Sequence, residues 1–359
     1  MTKCKNEKTG NESKQLALSK EGEKNNLSSP GIAKLLSKRI LEDIDEYCIK
    51  TYDGGHRSHL GASLIGEECK RKLWYIFRWC KHEKTTGRRQ RLFNRGHREE
   101  DRFIEWLEGI GVKVWADDLQ NNTLWYDEKI DDYFLTESNN TSFDNLNLVS
   151  NVTNDKIHIA RAKADGLQFP QYRISAVNGH FGGSLDGICK LPERFGIDEP
   201  LLLEFKTNGT GRPFNDLCAN GMTVSKPQHF AQTSTYGYKY GLNYVLYLNI
   251  CKNDDAIHCE IVKLNHNLGQ QMELKAAQII TSQRPPAKLS QSETYFKCKW
   301  CHFNEICHKG AIVERNCRSC KYAKPAENAT WFCANCNAII PKEYIPNACE
   351  SYKSITDKV

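Results

Sequence analysis

Apolar residues recur at steps of three and four in five stretches of the chain, and in four others they alternate or run almost unbroken. These are the periods of helix and strand. "SSPGIAKLLSKRILEDIDEYCIKTY" (28–52) opens on a serine cap and an early proline and predicts a helix. "HLGASLIGEECKRKLWYIFRWC" (59–80) predicts a turn and then a second helix carrying Cys69. In "RLFNRGHREEDRFIEWLEGIG" (91–111), Phe93, His97, Glu100, Ile104 and Leu107 share one helical face, and Gly109 and Gly111 stop the helix. "KPQHFAQTSTYGYKYGL" (226–242), with Pro227 in its first turn, and "NLGQQMELKAAQIITSQ" (267–283), ended by Pro285 and Pro286, complete the helices. The predicted strands are "QYRISAVNGHFGGSLDGICKL" (171–191), "LLLEFKT" (201–207), "YVLYLNICK" (244–252) and "AIHCEIVKL" (256–264).

Helices, then strands with an inserted helix, then helices predict a mixed α/β core. Residues 1–28 are polar and rich in Lys, Asn, Glu and Ser, and are expected to be disordered. The body spans 29–310 and is interrupted around 117–155 by an Asn- and Asp-rich insertion that reads as a loop or irregular hairpin. Residues 311–359 form a cysteine-rich tail. The length of 359 residues suffices for one large domain and a smaller appendage.

Charge changes this picture little. A formal +6, well mixed, permits a nucleic-acid partner without requiring one. No apolar run reaches the ~20 residues of a membrane span, and the N-terminus lacks the apolar core of a signal peptide. The expectation is a cytoplasmic protein with no membrane partner. Cysteine changes more. There are 16, eight of them between Cys298 and Cys349 in 52 residues. In a reducing compartment clustered thiols read as metal ligands rather than disulfides.

The most informative stretch is "HFGGSLDGICKLPERFGIDEPLLLEFKTNG", 180–209. Residues two apart on a strand share a face, so Glu204 and Lys206 project together while Phe205 points into the core. If the preceding strand pairs with this one, Asp186 converges on Glu204. Two carboxylates make a hard-oxygen site for Mg²⁺ or Mn²⁺, and a neighbouring lysine can orient water. Taken alone, the three residues also fit an exposed cross-strand ion pair. The apolar setting argues against that, because unpaired buried charge is costly. Glycines at 182, 183 and 187 fit a tight turn and close approach around Asp186.

This set resembles the PD-(D/E)XK nuclease superfamily, and within it the RecB-like branch that includes the CRISPR-associated exonucleases with an iron–sulfur cluster. The resemblance implies a restriction-endonuclease-like α/β core and metal-dependent phosphodiester hydrolysis. It implies that Asp186, Glu204, His97 of "RGHREE" and the Phe205 carbonyl hold Mg²⁺ or Mn²⁺, with Glu100 one turn on as the fallback acid. Lys206 then positions water. Gln232 and Tyr236, a Gln-x-x-x-Tyr pair on one helical face one turn after Gln228, then contact DNA near the scissile phosphate. The long gap from His97 to Asp186, created by the insertion, departs from the family.

"FKCKWCHFNEICHKG" supplies Cys298, Cys301 and Cys307, one thiolate short of a tetrahedral site. His302 or His308 is a local fourth ligand for zinc. The resemblance instead implies Cys69, early in the chain, as the fourth ligand of a [4Fe–4S] cluster, with zinc at the same thiolates as rival. In the tail, Cys317, Cys320, Cys333 and Cys336 have zinc-ribbon spacing, and Cys349 is one thiol too many. Similarity to phage nuclease tails, which keep Trp-x-Cys and a cysteine before an aromatic or His, favours Cys317, Cys320, Cys333 and Cys349 for Zn²⁺, with Cys336 as the alternative. The other cysteines read as apolar fillers or idle thiols.

The expected function is a DNA exonuclease acting at single-stranded or duplex ends in phage-type recombination, repair or end processing. A single-strand annealing protein or helicase is a candidate partner. The other reading is a non-catalytic zinc- or iron–sulfur-containing nucleic-acid-binding adaptor with a nuclease-like fold. An iron–sulfur redox enzyme fits poorly, since no nucleotide-binding glycine fingerprint follows a strand.

Overall fold

The computed structural model describes residues 30–356 apart from 141, 144 and 145. The segment expected to be disordered, 1–28, lies outside the described residues. Helix α1 (Pro30–Tyr52) is followed by a two-residue strand β1 (Leu60–Gly61) and helix α2 (Lys70–Phe77). Cys69 stands at the cap of α2 rather than inside it, its sulfur accepting from the Lys72 N–H at 3.4 Å. Helix α3 (Gly87–Gly109) buries Glu99, Phe103 and Leu107. Phe93, expected on its apolar face, is exposed, because the N-terminal half of α3 lies beside α1 instead of over a sheet.

The insertion is more ordered than its composition suggests. After strand β2 (Lys113–Trp115) come β3 (Asn122–Asp127), β4 (Asp132–Glu137) and β5 (Val149–Asn151), paired in the order β4–β3–β5, and then helix α4 (Lys156–Ala164). Its Asp residues serve as turn and cap groups: Asp131 takes φ 53° at the β3–β4 turn, and Asp155 caps α4. Leu124, Tyr133, Val152 and Ala162 give it a small core of its own.

The stretch 171–191, expected as one strand, is three strands in two sheets. Strands β6 (Arg173–Ala176) and β7 (Phe181–Ser184) form a hairpin, and β1 pairs with β7. Val177, Asn178 and Gly179 all have positive φ in the turn. Strand β8 (Gly187–Lys190) leaves for the central sheet. There it pairs antiparallel with β9 (Leu201–Asn208). Strand β10 (Tyr244–Cys251) runs parallel to β9, and β11 (Ile257–Lys263) antiparallel to β10. The central sheet is thus mixed, in the order β11–β10–β9–β8–β2.

Alternation along β9 divides the two faces. Leu201, Leu203 and Phe205 join Leu246, Leu248 and Ile250 against Phe103 and Leu107 of α3. Phe205 stacks on Phe103 with ring centres 4.9 Å apart, worth about 1 kcal/mol beyond the buried area. The opposite face is covered by helices α5 (Arg212–Ser225) and α6 (Pro227–Tyr240), with α7 (His266–Thr281) packed on α6, and these bring Leu217, Met222, Tyr236 and Ala276 into the larger core. Helix α5 has no counterpart in the sequence reading. It breaks at Gly221 (φ 73°), where the Met222 N–H donates to Glu260 of β11 at 2.8 Å, so a distant strand holds it together.

Two short helices, α8 (Phe296–Lys299) and α9 (Asn304–Lys309), carry Cys298 and Cys307. The tail sheet of β12 (Ala323–Pro325), β13 (Trp331–Cys333) and β14 (Ala338–Ile340) does not stand apart. Trp331, Ile345 and Ile355 pack into the same core as Trp74, Phe77 and Phe181.

Candidate active site

Strands β8 and β9 stay paired only as far as Gly187 opposite Leu203. Beyond that point β8 turns away, and the edge of β9 from Glu204 onward is open. The next residue of the departing strand, Asp186, fills the lost pairing with its side chain: Oδ2 accepts the Phe205 N–H at 2.7 Å. Glu204 follows on the helix-covered face and is 0% exposed. Lys206, two residues on, retains 26% of its side-chain exposure, and its ammonium forms an ion pair with Glu204 Oε1. The same ammonium donates to the Phe205 carbonyl at 3.0 Å, so it stands on two of the groups expected to hold a cation.

The carboxylates are underserved. Both Glu204 oxygens are buried, and neither has a hydrogen bond of regular geometry beyond the lysine contact. Burial pushes Asp186 up to about 7, with Lys206 opposing and Glu204 and Glu100 adding to the rise. Burial also raises Glu204, again against Lys206. For Lys206 burial works against the charge, but Glu204 and Asp186 outweigh it and its pKa is raised. Paired carboxylates short of donors and pushed toward protonation are what a divalent cation relieves, so the donor set fits a hard ion.

Helix α3 supplies the next wall. His97 is 77% exposed on its side chain and lies 3.3 Å from Glu100 Oε1. That hydrogen bond raises the imidazole's pKa, and Asp186 adds to the effect. The charge of Glu100 adds to the rise of both Asp186 and Glu204, so the fallback acid acts on both carboxylates. Helix α6 closes the other side. Gln232 and Tyr236 are both buried, Gln232 Nε2 donates to the Tyr236 hydroxyl at 3.4 Å, and Gln232 helps hold Glu204 ionised. Neither side chain is presented at the surface.

A second polar layer was not singled out from the sequence. Tyr247 and Asn249 of β10 stand beside Glu204 and Lys206 in register. His229 Nδ1 lies 2.9 Å from the Tyr247 hydroxyl, Asn249 donates to that oxygen at 3.2 Å, and Asn249 Oδ1 has no partner. A tyrosine and an asparagine at alternate positions of a buried strand are the signal for it.

The cysteine sets that the resemblance favoured each line one cavity. Cys69, Cys298, Cys301 and Cys307 line one cavity of about 490 Å³. Cys317, Cys320, Cys333 and Cys349 line another of about 20 Å³. Cys336 does not line the second cavity and is exposed, with its thiol raised by Cys333. The smaller space suits one ion. The larger one, open at its mouth, admits a group of several atoms. Among the described residues, no three His, Cys, Asp or Glu side chains are closed into a set that could hold a metal as they stand. Thiols have little reason to converge while protonated: burial raises Cys301 and Cys307, and Cys317 to about 11.

No family model matches the sequence, and no curated protein matches it. A solved chain described as "Crystal structure of SSO0001" matches at 11% identity with a TM-score of 0.35, over 78% of this chain and 100% of that one. Among the described residues no helix is long and apolar enough to cross a membrane.

Proposed function

We propose that this protein is a divalent-metal-dependent deoxyribonuclease of the PD-(D/E)XK type, acting as an exonuclease on DNA ends. The observation that carries the reading is the meeting of Asp186, Glu204 and Lys206 at the open edge of β9, with the Glu204 oxygens buried and short of donors. A structural ion pair needs one acid and one base. Here two acids share one lysine, and the charge of Glu100 acts on both.

Asp186, Glu204 and the Phe205 carbonyl would hold Mg²⁺ or Mn²⁺, with His97 or Glu100 completing the set from α3. When bound, such an ion polarises the phosphate and lowers the pKa of water. The chain's own residues do the rest. Lys206 leaves the Phe205 carbonyl and orients the attacking water, its charge facing the negative charge that develops on phosphorus. The Phe103–Phe205 stack fixes the strand that carries both charges. Gln232, bonded to the Tyr236 hydroxyl, favours the ionised form of Glu204.

The first quartet would bind a [4Fe–4S] cluster that ties the start of α2 to α8 and α9, a cross-link over more than 200 residues. The tail quartet would bind Zn²⁺.

Cleavage of linear DNA with Mn²⁺ tests the reading. Wild type is expected to shorten both duplex and single strands, and Asp186→Ala and Lys206→Ala to lose at least about 100-fold in rate. Undiminished cleavage by both variants would place the chemistry elsewhere. DNA binding without cleavage under any divalent ion would favour the adaptor reading. Broad absorbance near ~400 nm in anaerobically purified protein supports the cluster, whereas a colourless, zinc-containing sample reassigns that quartet to zinc.

A further inference from the structure

Two arginines where the tail meets the body are buried with no acid beside them. Arg78, just past the end of α2, is 0% exposed, and Arg318, between Cys317 and Cys320, is 1% exposed. Both lie against Trp331, their guanidinium carbons 5.1 and 4.6 Å from its ring centre. Arg318 also lies 4.6 Å from the ring of Phe77 and 4.5 Å from that of Trp79. Only backbone carbonyls accept from them. Arg78 donates to Cys320 and Ala323 at 2.9 and 3.1 Å, and Arg318 to Ser58 and Arg57 at 2.9 and 3.3 Å. Among the described residues, Arg78 Nε and Arg318 Nε and Nη2 have no hydrogen-bond partner.

Two like charges in an apolar contact call for a counterion. Cation–π contacts return only part of what it costs to take an ion out of water. The groups of opposite charge acting on the pair are cysteines: Cys80 and Cys320 on Arg78, and Cys80 on Arg318, which also feels Arg78 as a like charge. Cys80 does not serve, because burial pushes its thiol up to about 12 and it stays neutral. Cys320 belongs to the ring of four thiols around the small tail cavity. Four thiolates around a divalent ion leave two net negative charges on the centre, matching two guanidiniums.

We propose that Arg78 and Arg318 are the counterions of a metal tetrathiolate formed by Cys317, Cys320, Cys333 and Cys349, so that loading the tail with metal locks it onto the body. The inference rests on the reading of the tail as a metal site. It explains why arginines serve here. Their forks grip carbonyls on both sides of the junction, Arg78 reaching from the body into the tail and Arg318 from the tail to the body. Without the metal, the same two charges are left uncompensated and the junction weakens.

The test compares Arg78→Met and Arg318→Met, which keep bulk and remove charge, with Arg78→Lys and Arg318→Lys, which keep charge. Zinc that wild type holds and Cys320→Ser lacks defines the tail metal; if there is none, the tail reading itself fails. Zinc retention is then measured against a chelator in protein whose fold is checked by circular dichroism. Each Met variant is expected to lose about ten- to a hundred-fold in affinity, and each Lys variant about three-fold or less. Met variants that hold zinc as tightly as wild type, or Lys variants that lose as much as Met, overturn the proposal. If the Met variants do not fold, the Lys variants decide: retained zinc supports charge compensation, and lost zinc overturns it.

Discussion

Gly183 of β7 sits against the Tyr236 hydroxyl so closely that a Cβ on the glycine would stand 2.5 Å from that oxygen and 3.0 Å from the Ala62 Cβ. The contact sets the depth of the tyrosine, and through the Gln232–Tyr236 hydrogen bond it bears on Glu204. Gly183→Ala is therefore expected to cost about 1–3 kcal/mol of stability by overpacking and to lower cleavage by at least about ten-fold. Tyr236→Phe removes the oxygen in the way, so adding it to Gly183→Ala should recover part of the lost stability. Denaturant midpoints of the two single variants and the double variant give the coupling, and strict additivity would refute it.

Lys206 is the only cation acting on Asp186 and Glu204 among the groups that most affect them. Lys206→Met leaves two buried acids without it. The metal-free protein is expected to lose about 3 kcal/mol at neutral pH, read from denaturant titration. Added Mn²⁺ should restore part of this, since a divalent ion supplies the missing charge. A variant as stable as wild type without metal would mean that the lysine and Glu204 do not form a buried pair.

His229 makes acid stability a readout of the polar layer. Burial, helped by Lys206 and Lys226, pushes its pKa down to about 3. In the unfolded chain it titrates near ~6.5. A base with a depressed pKa stays neutral in the fold, so its contribution is complete above ~6.5 and is lost as pH falls toward the folded value. Between pH ~7.5 and ~5 the loss is about 2 kcal/mol. His229→Gln should lose correspondingly less over the same interval, and equal losses in the two proteins would dissociate the histidine from acid sensitivity.

Cys69 and Cys307 lie far apart in sequence yet face one cavity. Cys69→Ser and Cys307→Ser are each expected to abolish absorbance near ~400 nm and to destabilise the protein by roughly 4 kcal/mol, the scale of a long-loop cross-link. Cys259→Ser, at an exposed cysteine on β11, serves as control. Full absorbance in Cys69→Ser would leave the cluster with a local fourth ligand such as His302 or His308.

Much of this was legible along the chain because it depends on covalent neighbours. Alternation put Glu204 and Lys206 on one face of β9 and Phe205 on the other. Helical spacing put Gln232 and Tyr236 on one face of α6, and the cysteine spacings grouped Cys298, Cys301 and Cys307, and Cys317, Cys320 and Cys333, while Cys69 and Cys349 came from the resemblance. Proline and glycine at helix ends work within a few residues of themselves and could be read directly, while the serine cap expected before Pro30 lies outside the described residues. The order of elements, and so the mixed α/β class, followed from the same local signals.

Other features depend on residues that meet only in space. The stretch 171–191 divides between two sheets because β1 pairs with β7 and β9 with β8, which no local pattern reports. Helix α5 is held across Gly221 by Glu260, and the insertion orders itself around a core of four scattered residues. Asn249 beside Lys206, and Arg78 and Arg318 closing on Trp331, are likewise outcomes of register and helix placement. Periodicity decides which way a side chain points from its own element. Where two elements bring their charges together depends on burying the apolar faces between them, and only the packed chain does that.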